Sequence, residues 1–137
     1  MKREDYNLPY MLKYEHVAWY EKGEVKILDR RIYPKEVSYV VCKSYKDIVK
    51  AIKDMVTQSA GPYTAAGMGM ALAAYEAREL DIKSKIKFLE NASEKIATAR
   101  PTTQNRMRKI TEDSLKVGKI AIKEGKDPVE AIKNNTI

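Results

Sequence analysis

His16 is the only histidine and Cys42 the only cysteine among the 137 residues, so the side chains available for chemistry are few. His16 stands beside Val17 and Trp19 in a stretch of strand-forming residues and is read as structural. That leaves no Ser-His-Asp, Cys-His or multi-histidine metal arrangement. Cys42 excludes an internal disulfide; its two readings are a small strand residue in a reducing compartment and a reactive nucleophile. No phosphate loop of the Walker type and no dinucleotide fingerprint occurs, and no cofactor or metal is expected. Two segments remain. Gln58-Ser59-Ala60-Gly61-Pro62 precedes a run of small residues and should offer free backbone N–H groups near the positive end of a helix, a ready place for a phosphate. Arg100, in Ala99-Arg100-Pro101-Thr102-Thr103, follows a turn stiffened by proline, where a guanidinium can grip phosphate through two parallel bonds. Thr102 and Thr103 either donate hydroxyl bonds or cap the next helix, and Arg100 is equally readable as an exposed arginine beside a helix cap. The candidate binding residues are therefore Arg100, Gln58, Ser59, Ala60, Gly61 and Thr102.

These segments need elements to hold them. Tyr10 to Tyr20 is rich in residues that suit a pleated surface, Glu21-Lys22-Gly23 carries turn chemistry, and Val25 to Leu28 follows; together they predict a hairpin. Val37 to Cys42 predicts a third, more buried strand. From Ser44 the period changes to that of an amphipathic helix, with Ile48, Ala51, Ile52, Met55 and Val56 on one side and an end near Gln58. Tyr63 to about Leu80 is apolar or small on almost every side and should lie at the centre of a bundle. Gly67 and Gly69 each cost about 1 kcal/mol there relative to alanine, so either a close neighbour or a ligand must justify them. A third helix is expected from Asp81 or Ser84 to about Ala99, with Ile82, Ile86, Leu89, Ala92, Ile96 and Ala99 on one face. A fourth follows Pro101, with Met107, Ile110, Leu115, Val117, Ile120 and Ala121 as apolar positions and Gly125 as its stop. The last opens with Asp127 as N-cap, Pro128 at the first position and Glu130 at the third. The fold class is α+β, an antiparallel β-rich piece of about three strands (1–43) followed by a bundle of four to five helices (44–137), in a single domain.

An apolar content of 44% is enough for one core. The N-terminus has charges but no apolar run of the signal type, and Ala60 to Tyr75 is short of the roughly 20 residues a membrane span needs. A cytoplasmic protein without a membrane partner is expected. Between Ile82 and Glu124 eleven lysines and arginines face five carboxylates, which accounts for +6 of the chain's formal +7. Such an excess fits a solvated helix face, a sugar or nucleotide phosphate, or RNA.

Leu8-Pro9-Tyr10, Val25 to Arg30 (VKILDR), Tyr33-Pro34 with Glu36-Val37, Ser44 to Val56 (SYKDIVKAIKDMV) and Gly69 to Ala74 (GMALAA) resemble, in order and spacing, the N-terminal half of methylthioribose-1-phosphate isomerases. Ribose-1,5-bisphosphate isomerases and the regulatory subunits of translation initiation factor 2B are related. The resemblance extends over about the first 110 residues. That family carries an Arg-Gly-Ala-Pro loop and a Ser-Arg-Pro-Thr turn; Ala99-Arg100-Pro101-Thr102, followed by Asn105, resembles the second, whereas the first has lost its arginine to the Gln58 to Pro62 sequence. The resemblance implies a small β-rich piece and a helical bundle, to which the family adds a larger Rossmann-like domain that this chain is expected to lack. The isomerases' catalytic cysteine and aspartate belong to that domain, so no catalytic residue is carried over.

Two functional expectations follow from the resemblance. The first is a sugar-phosphate or nucleotide-binding accessory to an aldose–ketose isomerase, partnered by a chain that carries the missing domain and inactive alone for want of an acid–base pair. The second is a non-enzymatic module that binds protein or RNA. Homo-oligomerisation, with the small-residue helix as the contact, is compatible with either.

Overall fold

The computed structural model describes residues 17–32, 35–57, 61–100 and 104–136. A three-stranded antiparallel sheet, β1 (Ala18–Glu21), β2 (Glu24–Leu28) and β3 (Tyr39–Cys42), runs in the order β1-β2-β3. Lys22 and Gly23, with φ of 51° and 83°, close the β1–β2 hairpin as a two-residue turn whose twist matches that of the strands. Gly23 is required twice, because a Cβ there would also stand 2.7 Å from the Tyr75 ring. Alternation buries Ala18, Tyr20, Val25, Ile27 and Cys42 on one face of the sheet.

The third strand is less buried than its composition suggests. Among the described residues it pairs with β2 alone, and Val37 and Val41 are 52% and 45% exposed. Valine suits the pleat whether or not a layer covers it, so strand-forming residue types do not report which face is covered.

Five helices follow among the described residues: α1 (Tyr45–Lys53), α2 (Gly61–Glu76), α3 (Ile82–Ala97), α4 (Gln104–Lys123) and α5 (Pro128–Thr136). The starts of α1, α3 and α5 are those the capping residues announce, whereas α2 begins at Gly61, two residues before the expected Tyr63. The Ser44 side chain accepts from the Lys46 N–H, the Asp81 carboxylate from the Ser84 N–H, and Asp127 from the Val129 N–H. Asp47 reaches back to the Lys43 N–H, and Glu76 at the end of α2 accepts from the Tyr45 N–H at 2.6 Å, so that two helix ends are tied together.

α2 is the central element and touches β1, β2 and every other helix. Its glycines answer to side chains rather than to a neighbouring backbone: a Cβ on Gly67 would meet the Thr136 side chain at 2.3 Å, and one on Gly69 would meet Ile48 at 2.8 Å. The small residues of α2 are thus buried within the chain.

Two helix faces differ from the apolar spacing. Ile82 and Ile120 are 58% and 48% exposed, whereas Thr111, Ser114 and Gly118 are buried in α4 beside Met107 and Ala121. The face of α4 is chosen by fit, because Gly118 lets Ile132 and Leu89 approach to within 3.0 and 3.2 Å of where its Cβ would stand. α1 also ends before Met55, earlier than its apolar pattern. Met55 takes φ 61°, and the Met55 and Val56 N–H groups close back onto the Ile52 and Ala51 carbonyls. The same closure ends α4, where Gly125 holds the left-handed position at φ 73°.

Candidate functional site

The turn after α1 is gripped from two directions. The Arg30 N–H donates to the Val56 carbonyl at 2.7 Å, which ties the turn to the chain leaving β2. From the far end of α3, Arg100 donates through Nε to the Ile52 carbonyl at 2.7 Å and through Nη2 to the Thr57 carbonyl at 2.8 Å. Ile52 and Thr57 are almost wholly buried. Without Arg100 the Thr57 carbonyl would lose its charged donor, and buried carbonyls are seldom left unpaired. The cation also sits at the C-terminal, negative end of α1, where a positive charge is favoured.

Thr57 links Arg100 to the start of α2. A Cβ on Gly61 would stand 2.0 Å from Thr57 Oγ1 and 3.4 Å from Val17, so only glycine lets α2 begin against this turn. Arg100, Thr57 and Gly61 therefore form one contiguous set at the junction of α1, α2 and α3. Of the residues expected at the site, Arg100 and Gly61 are brought together; Gln58, Ser59, Ala60 and Thr102 lie outside the described residues. Thr57 was not expected, and no sequence signal marks it, because it takes part through its main-chain carbonyl and by its contact with a glycine.

Arg100 has no carboxylate partner among the described residues, unlike Arg31, Arg108 and Lys119, which pair with Asp29, Glu94 and Glu90. A guanidinium has five N–H donors. Two are used by the carbonyls, so the group keeps its whole charge and three donors.

Other groups offer less. Burial pushes the Cys42 thiol up to about 12, which makes it the inert strand residue of the two readings. No cluster of three or more histidine, cysteine, aspartate or glutamate side chains suited to a metal occurs among the described residues. No helix among them is long and apolar enough to cross a membrane.

Sequence and fold comparisons agree with the resemblance read from the motifs. Methylthioribose-1-phosphate isomerase of Thermosipho africanus is 41% identical over 101 residues, 71% of this chain and 29% of the relative. Methylthioribose-1-phosphate isomerase 1 of Pseudothermotoga lettingae is 40% identical over 80 residues, 58% of this chain and 23% of the relative. No family model matches the sequence. The fold is that of part of the delta subunit of translation initiation factor eIF-2B from A. fulgidus, with a TM-score of 0.70 at 24% identity over 88% of this chain and 34% of that one. It is equally that of part of 5-methylthioribose 1-phosphate isomerase from Pyrococcus horikoshii OT3, with a TM-score of 0.69 at 24% identity over 88% and 33%. The chain is thus similar to methylthioribose-1-phosphate isomerases over most of its own length and spans less than a third of the length of these curated relatives, consistent with the N-terminal domain of that family.

Proposed function

We propose that this chain, a relative of methylthioribose-1-phosphate isomerases, binds a phosphorylated sugar or nucleotide at the junction of α1, α2 and α3, in a role accessory to a catalytic domain. The observation that carries the reading is that Arg100 has no carboxylate partner among the described residues. A half-buried arginine bonded only to carbonyls among the described residues holds its positive charge at the turn that leads to α2, and an anion is what would neutralise it. The Gln58 to Ala60 loop joins Thr57 to Gly61 and belongs to the proposed site, with Thr102 as a further donor. The chain alone is proposed to be without isomerase activity, since the reaction needs a general acid and base on adjacent carbons and no such pair is assigned here. A second copy, or a chain that bears a catalytic domain, is the proposed partner, in a cytoplasmic setting.

The test is a thermal-shift screen against sugar phosphates and nucleoside monophosphates, with the wild-type chain and Arg100→Ala in parallel. A ligand at about 100 times its dissociation constant adds about 2.7 kcal/mol of apparent stability. A shift in the wild type that is lost in the variant supports the site, and no shift with any phosphate ester defeats it. Turnover of methylthioribose 1-phosphate by the pure chain would overturn the accessory role.

One observation favours a second reading, a module for RNA. Lys83, Lys87, Lys95, Lys116 and Lys123 are exposed on α3 and α4 without a carboxylate partner among the described residues. Binding through several nucleic-acid phosphates would weaken steeply with salt, whereas one phosphate in a pocket is far less sensitive.

A further inference from the structure

On the other side of α4, Lys109 and Asp113 stand four residues apart, a spacing at which opposite charges on a helix commonly close into an ion pair. Here the pair is open. Neither residue makes an ion pair with anything among the described residues, and the Asp113 carboxylate instead accepts a long 3.4 Å bond from the Asn135 amide. Both side chains line a cleft of about 470 Å³ between the first turn of α2, the middle of α4 and the end of α5, together with Tyr63, Thr64, Ser114 and Asn135. Its volume lies in the range of small-molecule pockets.

The cleft has a polar atom without a partner at its wall. Ser114 is 1% exposed, and its hydroxyl makes no hydrogen bond with the described residues, whereas the hydroxyls of Thr111 and Thr136 are bonded to carbonyls of their own helices. Buried hydroxyls are rarely left so, and Ser114 is among the residues that line the cleft. Arg106 lies over the Tyr63 ring, 5.1 Å from its centroid, and adds positive charge near the Lys109 end. None of Arg100, Thr57 and Gly61 lines this cleft, so it is separate from the junction described above.

We propose that this cleft binds an amino-acid-like zwitterion, whose carboxylate meets Lys109 and whose ammonium meets Asp113, with the Ser114 hydroxyl as a third contact. The charges of the walls select this class. The Asp113 carboxylate repels a compact dianion such as phosphate, and the Lys109 ammonium with its Arg106 neighbour repels a polyamine, whereas a molecule that carries one charge of each sign satisfies both.

The experiment titrates the isotopically labelled full chain with each of the common amino acids while following the amide signals of Thr64, Lys109, Asp113, Ser114 and Asn135. For whichever binds, the N-acetyl and the C-terminal amide derivatives serve as matched probes, with inorganic phosphate alongside. The expected result is a saturable shift at these amides for at least one amino acid, weakened about tenfold or more by either derivative and by Lys109→Gln or Asp113→Asn. Both variants alter exposed side chains, so their folds persist and the comparison stays readable. The proposal is overturned by the absence of saturable binding for every amino acid, by derivatives or variants that bind as well as the parent, or by phosphate alone reproducing the shifts. Arg100→Ala, which tests the junction, is expected to leave these signals responsive.

Discussion

Arg100 and Thr57 lie 43 residues apart in sequence and are joined by a 2.8 Å bond from Nη2 to the Thr57 carbonyl, so the end of α3 and the entry to α2 form one structure. Because the Ile52 carbonyl receives Nε of the same guanidinium, the group acts as a fork that fixes a turn, and any ligand of Arg100 is presented by a pre-set geometry.

Arg100→Ala should therefore destabilise the chain as well as remove an anion partner. Two charge-assisted bonds are lost and the buried Thr57 carbonyl is left short of a donor, while the Ile52 carbonyl keeps the Met55 N–H; the loss should cost about 2–4 kcal/mol in urea unfolding. Arg100→Lys should restore only part of this, since an ammonium cannot span both carbonyls with the planar fork. A loss below about 0.5 kcal/mol would show that the fork contributes nothing to the fold.

Gly69→Ala should destabilise although alanine is the better helix former. The new Cβ would stand 2.8 Å from Cγ2 of Ile48, which is fully buried, and overpacking of this kind costs about 1–3 kcal/mol. Adding Ile48→Ala should recover part of the Gly69→Ala penalty in a double-mutant cycle; strictly additive effects would show that the two sites do not touch.

Met55→Gly should stabilise. Met55 holds the left-handed position that Gly125 occupies in the matching closure of α4, and its Cβ strain exceeds the entropic cost of glycine. The net gain should be about 0.5–1 kcal/mol, read as a higher urea midpoint with an unchanged slope.

Acid should weaken the sheet's exit. Bonding by the Arg31 guanidinium holds the Asp29 carboxyl below the usual carboxylate range, with Nε and Nη2 at 2.9 and 2.8 Å from its oxygens. A carboxyl depressed in the folded state contributes stability that is present above its unfolded value of about 4 and is lost as pH falls through the lower folded value. Asp29→Asn should flatten the stability profile below about pH 4. An unchanged acid limb in the variant would remove Asp29 from the account.

Cys42 should be silent toward thiol reagents in the folded chain. It is fully buried and its pKa is pushed up to about 12, so almost no thiolate forms near neutrality. Labelling should occur only on unfolding, and rapid labelling of the native chain would return the residue to the list of candidate nucleophiles.

Much of the fold was written locally. Ser44, Asp81 and Asp127 mark helix starts because a short polar side chain can satisfy the first free N–H groups wherever it stands, and Lys22-Gly23 turns the hairpin because glycine accepts a positive φ at no steric cost. The α+β order, the central place of α2 and the motifs shared with methylthioribose-1-phosphate isomerases could be read from residue types and spacing alone. The sequence did not determine which apolar side chains find cover. Ile82, Ile120 and Val41 are exposed while Thr111, Ser114 and Gly118 are buried, because a helix face is chosen by how closely its neighbours approach, and that depends on the small residues between them. Nor could the sequence show the partners of Arg100, which are main-chain carbonyls 43 and 48 residues away, acceptors that every residue possesses. Only the packing of α3 against the end of α1 decides which of them the guanidinium meets.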